Sequence, residues 1–284
     1  MSASPHPTDM NHRRENTSRA VDCTDWLKCA ALVCAMLDHF GHFFMDDDRW
    51  WGVVGRLAAP TFFFLIGYAA TRTVPLRWLW LGLVLTLLNS WNADWTWVEA
   101  NILFSLALAR LARPAVKALI DRQGWIGFAL LVAALVAVQP IAGDIVDYGA
   151  EGWLWALFGL CQRIAVDETS ARDSSTVMQE TPTRPRPRVP GLMRLLACMI
   201  AVVFYIYQEQ EEFGFPFVHL IVFIAGIGAL SIGLLLFRRG PSRIQPPEFL
   251  VCPLRFVGRH TLELYAVQLA SFELLVKLVP DLAP

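Results

Sequence analysis

The chain has 284 residues, 55% of them hydrophobic, with eleven Trp, a mean hydropathy of +0.44 and a formal net charge of -1. Repeated apolar runs near the ~20 residues that cross ~30 Å of hydrocarbon exclude an ordinary water-soluble globule and predict an all-α, polytopic helical membrane protein. The runs are continuous rather than alternating, which excludes a membrane β-barrel, and no nucleic-acid partner is expected.

In chain order, residues 1–25 form a polar tail, read as disordered and cytoplasmic, without the cleavage pattern of a signal peptide. Residues 26–284 form one membrane-embedded domain. Apolar runs at about 26–45, 50–70, 76–91, 96–112, 124–142, 147–166, 191–208, 215–237 and 255–279 give about nine transmembrane helices. Residues 167–190 interrupt them as a cytoplasmic linker ending in Arg184-Pro185-Arg186-Pro187-Arg188-Val189-Pro190, expected to be extended.

With the N-terminus inside, the cytoplasmic segments hold 21 of the 24 Lys and Arg residues, leaving Arg49, Arg56 and Lys277. The opposite loops are acidic, with Asp46 to Asp48, Asp94, Asp144, Asp147, Glu209, Glu211 and Glu212. That asymmetry follows the positive-inside rule and places the C-terminus outside. The cysteines Cys23, Cys29, Cys34, Cys161, Cys198 and Cys252 show no CxxC or Cys/His spacing. They read as packing residues, and no metal is expected.

Asp38 and His39 lie in the first apolar run and Arg56 in the second. Ionisable groups at such depth face a protein interior or a wet cavity, as functional groups or as an ion pair that fixes helix packing. By helix rise, His39 and Arg56 each sit ~9 Å below the outer ends of their spans. Glu99, Asn101, Tyr148, Glu151, Gln208, Glu209, His219 and Glu273 enter the same outer half. This predicts an externally open polar cavity in which Glu99, Asn101, Tyr148, Glu151, His219 and Glu273 bind substrate. Glu151 and Glu209 also read as interface residues, and His219 as a headgroup-level histidine. Helix neighbours point ~100° apart, so Asp38 is expected to pair with Arg56 and to leave another acid, such as Glu99 or Glu273, to hold the His39 ring.

These residues carry a family pattern. Lys28, Asp38-His39-Phe40-Gly41, and Gly55-Arg56-Leu57-Ala58-Ala59-Pro60 with Phe62, Phe64, Leu65 and Gly67-Tyr68 before Thr71 resemble the opening of the TraX family. Tyr148-Gly149 before Gly152, and Gly258-Arg259-His260-Thr261-Leu262-Glu263-Leu264-Tyr265, resemble later signatures of that family and of the broader acyltransferase-3 superfamily. The resemblance implies a multi-pass protein of the bacterial inner membrane that moves an acetyl group from acetyl-CoA to a pilin N-terminus or a surface glycan. His39, Asp38 and Arg56 take the family's motif positions. His39 would act as general base or as nucleophile, and Arg56 would stabilise the oxyanion. The basic inner rim, Arg72, Arg77, Arg163, Arg255 and Arg259, suits the phosphates of CoA. Oligomeric state stays open. Two other classes fit the buried charges: a secondary transporter or proton relay, and a non-catalytic assembly protein.

Overall fold

The structure is a computed structural model and describes residues 21–45, 48–71, 73–93, 95, 99–178, 191–242, 244 and 246–279, with the side chains of 171–178 left aside. Eleven helices are described: α1 Cys23–Phe44, α2 Arg49–Gly55, α3 Ala58–Tyr68, α4 Leu76–Asn92, α5 Ile102–Gln123, α6 Trp125–Ile145, α7 Gly149–Met178, α8 Gly191–Phe213, α9 Phe217–Leu236, α10 Glu248–Arg259 and α11 Thr261–Leu278. Among the described residues there is no strand, only isolated bridges joining Asp22 to Pro241 and Ala100 to Val146. The protein is all-helical and multi-pass. Among the described residues, five stretches are long and apolar enough to cross a membrane: α1, α2 with α3, α6, α8 and α9. The nine expected spans are thus not all matched: α4, at 17 residues, is shorter than those five, and α5, α7 and α11 are not among them.

Two expected spans are broken. The second divides into α2 and α3 at Arg56 and Leu57, both still in the right-handed helical region, because Pro60 has no N–H to offer the Arg56 carbonyl one turn back. The last divides at His260 into α11 and a separate α10. Phe249 and Phe256 on α10 are exposed while Gly258 is buried against Asp25, so α10 lies against the N-terminal end of α1. Residues 167–178 continue α7 rather than starting a linker. The reason is local: Arg163 pairs with Asp167 one turn on at 2.8 Å, and no Pro or Gly intervenes before Met178. The Pro/Arg segment 184–190, Asp46, Asp47, the tail 1–20 and Arg72 lie outside the described residues. Helix α1 starts inside the expected tail, because Asp22 accepts from the Thr24 N–H and Asp25 accepts from the Asp22 N–H, each at 3.3 Å, a capping box.

All eleven residues of α3 are buried. A helix apolar all round belongs in an interior, and packing supplies it: α1, α5 and α7 each pack on α3. Contacts around it run α1 to α11, α4, α5, α6, α7, α8, α9, α2 and back to α1. A ring of helices therefore encloses α3. Close approach is secured by Gly67 and Gly159, where a Cβ would overlap the backbone of Ala156 and Phe64 respectively. Such small-residue contacts are how membrane helices pack without a hydrophobic driving force between them.

Candidate functional site

Arg56 is the hub, placed at the break between α2 and α3. Its Nε lies 3.6 Å from Asp38 Oδ1 of α1 and 3.5 Å from Glu209 Oε2 of α8, and its Nη1 donates to the Tyr148 hydroxyl at 2.9 Å. The guanidinium also lies 3.9 Å over the Phe213 ring. The break leaves the Arg56 carbonyl available, and the Tyr205 hydroxyl donates to it at 2.7 Å. The expected Asp38 and Arg56 pair therefore forms, within a larger group. Gly55 makes room for it, because a Cβ there would overlap Asp38.

Tyr148 reaches Arg56 through a strained turn. Residues 99–101 pair with 145–147: the Ala100 N–H donates to the Ile145 carbonyl and the Asp147 N–H to the Ala100 carbonyl, both at 2.9 Å. Gln139 Oε1 then accepts from the N–H groups of Ala150 at 2.7 Å and Glu151 at 3.1 Å, capping α7. Between these anchors Tyr148 adopts φ +61°, left-handed backbone that a bulky residue rarely takes. Strain of this kind persists where surrounding bonds over-determine it, and it clusters at functional sites.

His39 sits beside this hub and is held by a neutral partner. Its Nδ1 is 3.0 Å from Gln268 Oε1 of α11, and its ring is 5.2 Å from that of Tyr265. Neither acid expected to hold it does so. Glu273 accepts from Asn92 Nδ2, near the outer end of α4. Glu99 lies in the α4–α5 connection, where lost water and the neighbouring Glu212 and Asp144 raise its carboxyl above the ordinary range. In the tautomer whose Nδ1–H donates to Gln268, Nε2 keeps its lone pair for substrate.

Of the remaining outer residues, Glu151 joins the group: it is 5% exposed, its Oε2 has no hydrogen-bond partner, and the charges of Glu209, Glu212 and Arg56 act on it. Asn101 caps α5 by accepting from the Leu103 N–H at 3.1 Å, with its side chain toward the Tyr265 hydroxyl. His219 stands apart, its ring 4.1 Å from that of Trp50. Sequence reasoning missed Gln268, Tyr205 and Phe213 and gave Glu209 no site role. The signal for three of them was spacing: Tyr205, Glu209 and Phe213 are four residues apart and so share one face of α8.

Asp147 adds a test of this outer chemistry. In the α6–α7 connection, burial first and then the Glu99 charge push its carboxyl from 3.8 up to about 7, against the pull of Arg56. The folded protein thus holds a proton that the unfolded chain releases, so stability falls as pH rises from about 4 to about 7. Asp147→Asn should flatten that slope, melting higher than the parent at about pH 8 with little difference near pH 4. Equal melting curves at both pH values would contradict the assignment.

At the opposite end of the bundle a cavity of about 180 Å³ is lined by Lys28, Arg77, Arg110 and Arg259 above an apolar floor that includes Phe62, Ile66 and Leu262. The start of α11, which no side chain caps, also lines it. Uncapped N–H groups at a helix start and several cations together suit phosphate. Arg77 pairs with Glu263 at 2.7 Å, which occupies the acid that Arg259 would otherwise meet one turn on. Arg110 donates to Thr71 at 2.6 Å, and Lys28 donates to the Gly258 carbonyl at 2.9 Å. Arg163 lies near Tyr68 and Arg255 lies on α10; neither is among the residues lining this cavity.

Comparison with known proteins agrees with the family resemblance. The family described as TraX protein matches residues 23–182. Protein TraX of Escherichia coli strain K12 is 27% identical over 241 residues, covering 82% of this chain and 85% of that protein. A second Escherichia coli protein of that name is 31% identical over 136 residues, covering 46% of this chain and 52% of its own length. No solved structure matches. The chain belongs to the TraX family.

Proposed function

We propose that this chain is an acyl-CoA-dependent acetyltransferase of the bacterial inner membrane, passing an acetyl group from cytoplasmic acetyl-CoA to an amine on the far side. One observation carries the reading: His39 sits beside the acidic group around Arg56 and is joined through the Tyr265 and Phe62 rings to the basic cavity at the other end of the bundle. Lys28 and His39 are eleven residues apart on α1, ~16 Å by helix rise, a distance that an extended pantetheine arm could largely thread.

The roles follow from charge and position. Lys28, Arg77, Arg110 and Arg259 hold the CoA phosphates, with Arg259 closest to a single-purpose contact because it is exposed. His39 Nε2 takes the proton of the attacking amine, or attacks the thioester carbon itself to give an acyl-imidazole; thiolate leaves to the inner side in either case. Arg56 stabilises the oxyanion. Asp38, Glu151 and Glu209 surround the single cation Arg56, and carboxyls in that number suit an acceptor rich in N–H donors, such as the amine of a pilin N-terminus. A transporter would also use a broken span, but the two breaks here, at Arg56 and His260, do not fall in matching halves of an internal repeat.

Purified protein given acyl-labelled acetyl-CoA and an amine-bearing peptide should move the label to the peptide. Bound but untransferred acetyl-CoA would count against this reading and favour an assembly role. For the inner cavity, Arg259→Ala should raise the Kd for CoA about tenfold or more, the effect of losing one charge-assisted phosphate contact. Titration of the folded variant checks it, and an unchanged Kd would remove Arg259 from the phosphate site.

A further inference from the structure

The inner cavity and His39 are separated by two aromatic rings. Phe62 of α3 and Leu262 of α11 line the outer side of the cavity. Tyr265, almost one turn beyond Leu262, sets its ring 6.4 Å from Phe62 at 74° on one side and 5.2 Å from His39 on the other. Phe62 and Tyr265 are both buried, at 5% exposure each. The Tyr265 hydroxyl faces Asn101 and the charges of Asp147, Asp38 and Arg56. One side chain thus presents a hydrocarbon ring to Phe62, which lines the cavity, and a polar tip to the group around Arg56. A phenylalanine would fill the same space without burying a hydroxyl.

We propose that Phe62 and Tyr265 form the seal of the acyl channel. Closed, the rings keep water of the outer side from the thioester; displaced by the entering acyl-pantetheine arm, they bring the thioester carbon to His39. This rests on the acyl-transfer reading. The need is chemical, because a site that activates a thioester toward an amine also activates it toward water. In that leak, water oxygen bonds to the acyl carbon, the carbon–sulfur bond breaks, and acetate, a proton and the CoA thiol result.

Two measurements on the full-length membrane protein test the seal. Without acceptor, Phe62→Ala and Tyr265→Ala should release CoA thiol from acetyl-CoA about tenfold faster or more than the parent, whereas Tyr265→Phe, which keeps the ring, should not. Separately, Asn101→Cys in a background lacking the six native cysteines is treated with an anionic methanethiosulfonate from the inner side. It should stay unmodified while both rings are present and react once Tyr265 is Ala. Labelling does not depend on acyl transfer, so a parent protein that transfers nothing yet shows the labelling contrast would sink the acyltransferase and keep the seal. Equal inner-side labelling with and without the Tyr265 ring would overturn the seal, as would Tyr265→Phe leaking as fast as Tyr265→Ala.

Discussion

His39→Ala should yield a folded protein that binds acyl-CoA normally and transfers acyl groups ~10²- to 10⁴-fold more slowly, the range typical for loss of a general base, and more slowly still if an acyl-imidazole is obligatory. The structure makes this a clean experiment. His39 contributes one hydrogen bond, to Gln268, and a ring contact with Tyr265, while the ion pairs that tie α1 to α2 and α8 belong to Asp38, Arg56 and Glu209. Removing the imidazole therefore leaves those links in place. Melting temperature and turnover on the same preparation separate chemistry from packing, and unchanged turnover would return the relay and assembly readings to the front.

Arg56→Met should have the opposite signature, a loss of stability as large as the loss of activity. Asp38 is 15% exposed and Glu209 only 1%, and the guanidinium lies between them. Taking away the cation strands two carboxylates in a dry place, a change that typically costs ~3–5 kcal/mol. It also frees the Tyr148 hydroxyl, which is held in a strained turn. Arg56→Lys keeps the charge but cannot reach Asp38, Glu209 and Tyr148 together from one planar group, so partial, unstable activity is expected. Adding Glu209→Gln to Arg56→Met should recover part of the melting temperature and none of the transfer. Recovery of both would assign Arg56 a packing role alone.

Much of this arrangement was legible because a bilayer makes polar residues expensive. Asp38, His39 and Arg56 stood out in apolar runs, and helix rise alone put them at one level. Tyr148 was legible as a polar group at that level, though its strain was not, and of the expected basic rim Arg77 and Arg259 line the cavity whereas Arg163 and Arg255 do not. The break of two helical residues at Arg56 has its signal in the sequence, Pro60 four residues on with no N–H for the Arg56 carbonyl, which the expectation of one unbroken span passed over. What could not be read was three-dimensional. Gln268 holds His39 because α1 and α11 lie side by side in a register that sequence does not state. His219 and Glu273 have the right depth but the wrong azimuth, one on Trp50 and the other on Asn92. Lys28 and Arg110 join Arg77 and Arg259 because α3 stands at the centre of a ring, a topology that the apolar runs of nine similar segments leave open.

The central claim is transfer across the membrane, and proteoliposomes of one protein orientation test it most directly. Acyl-labelled acetyl-CoA is supplied on the side of Arg77 and Arg259, and an amine-bearing peptide that cannot cross is supplied on the side of Asp147 and Glu99. The account predicts label on the peptide with the parent protein and essentially none with His39→Ala. Label that reaches the peptide only when donor and acceptor share one side, or that reaches it equally in His39→Ala, would contradict it.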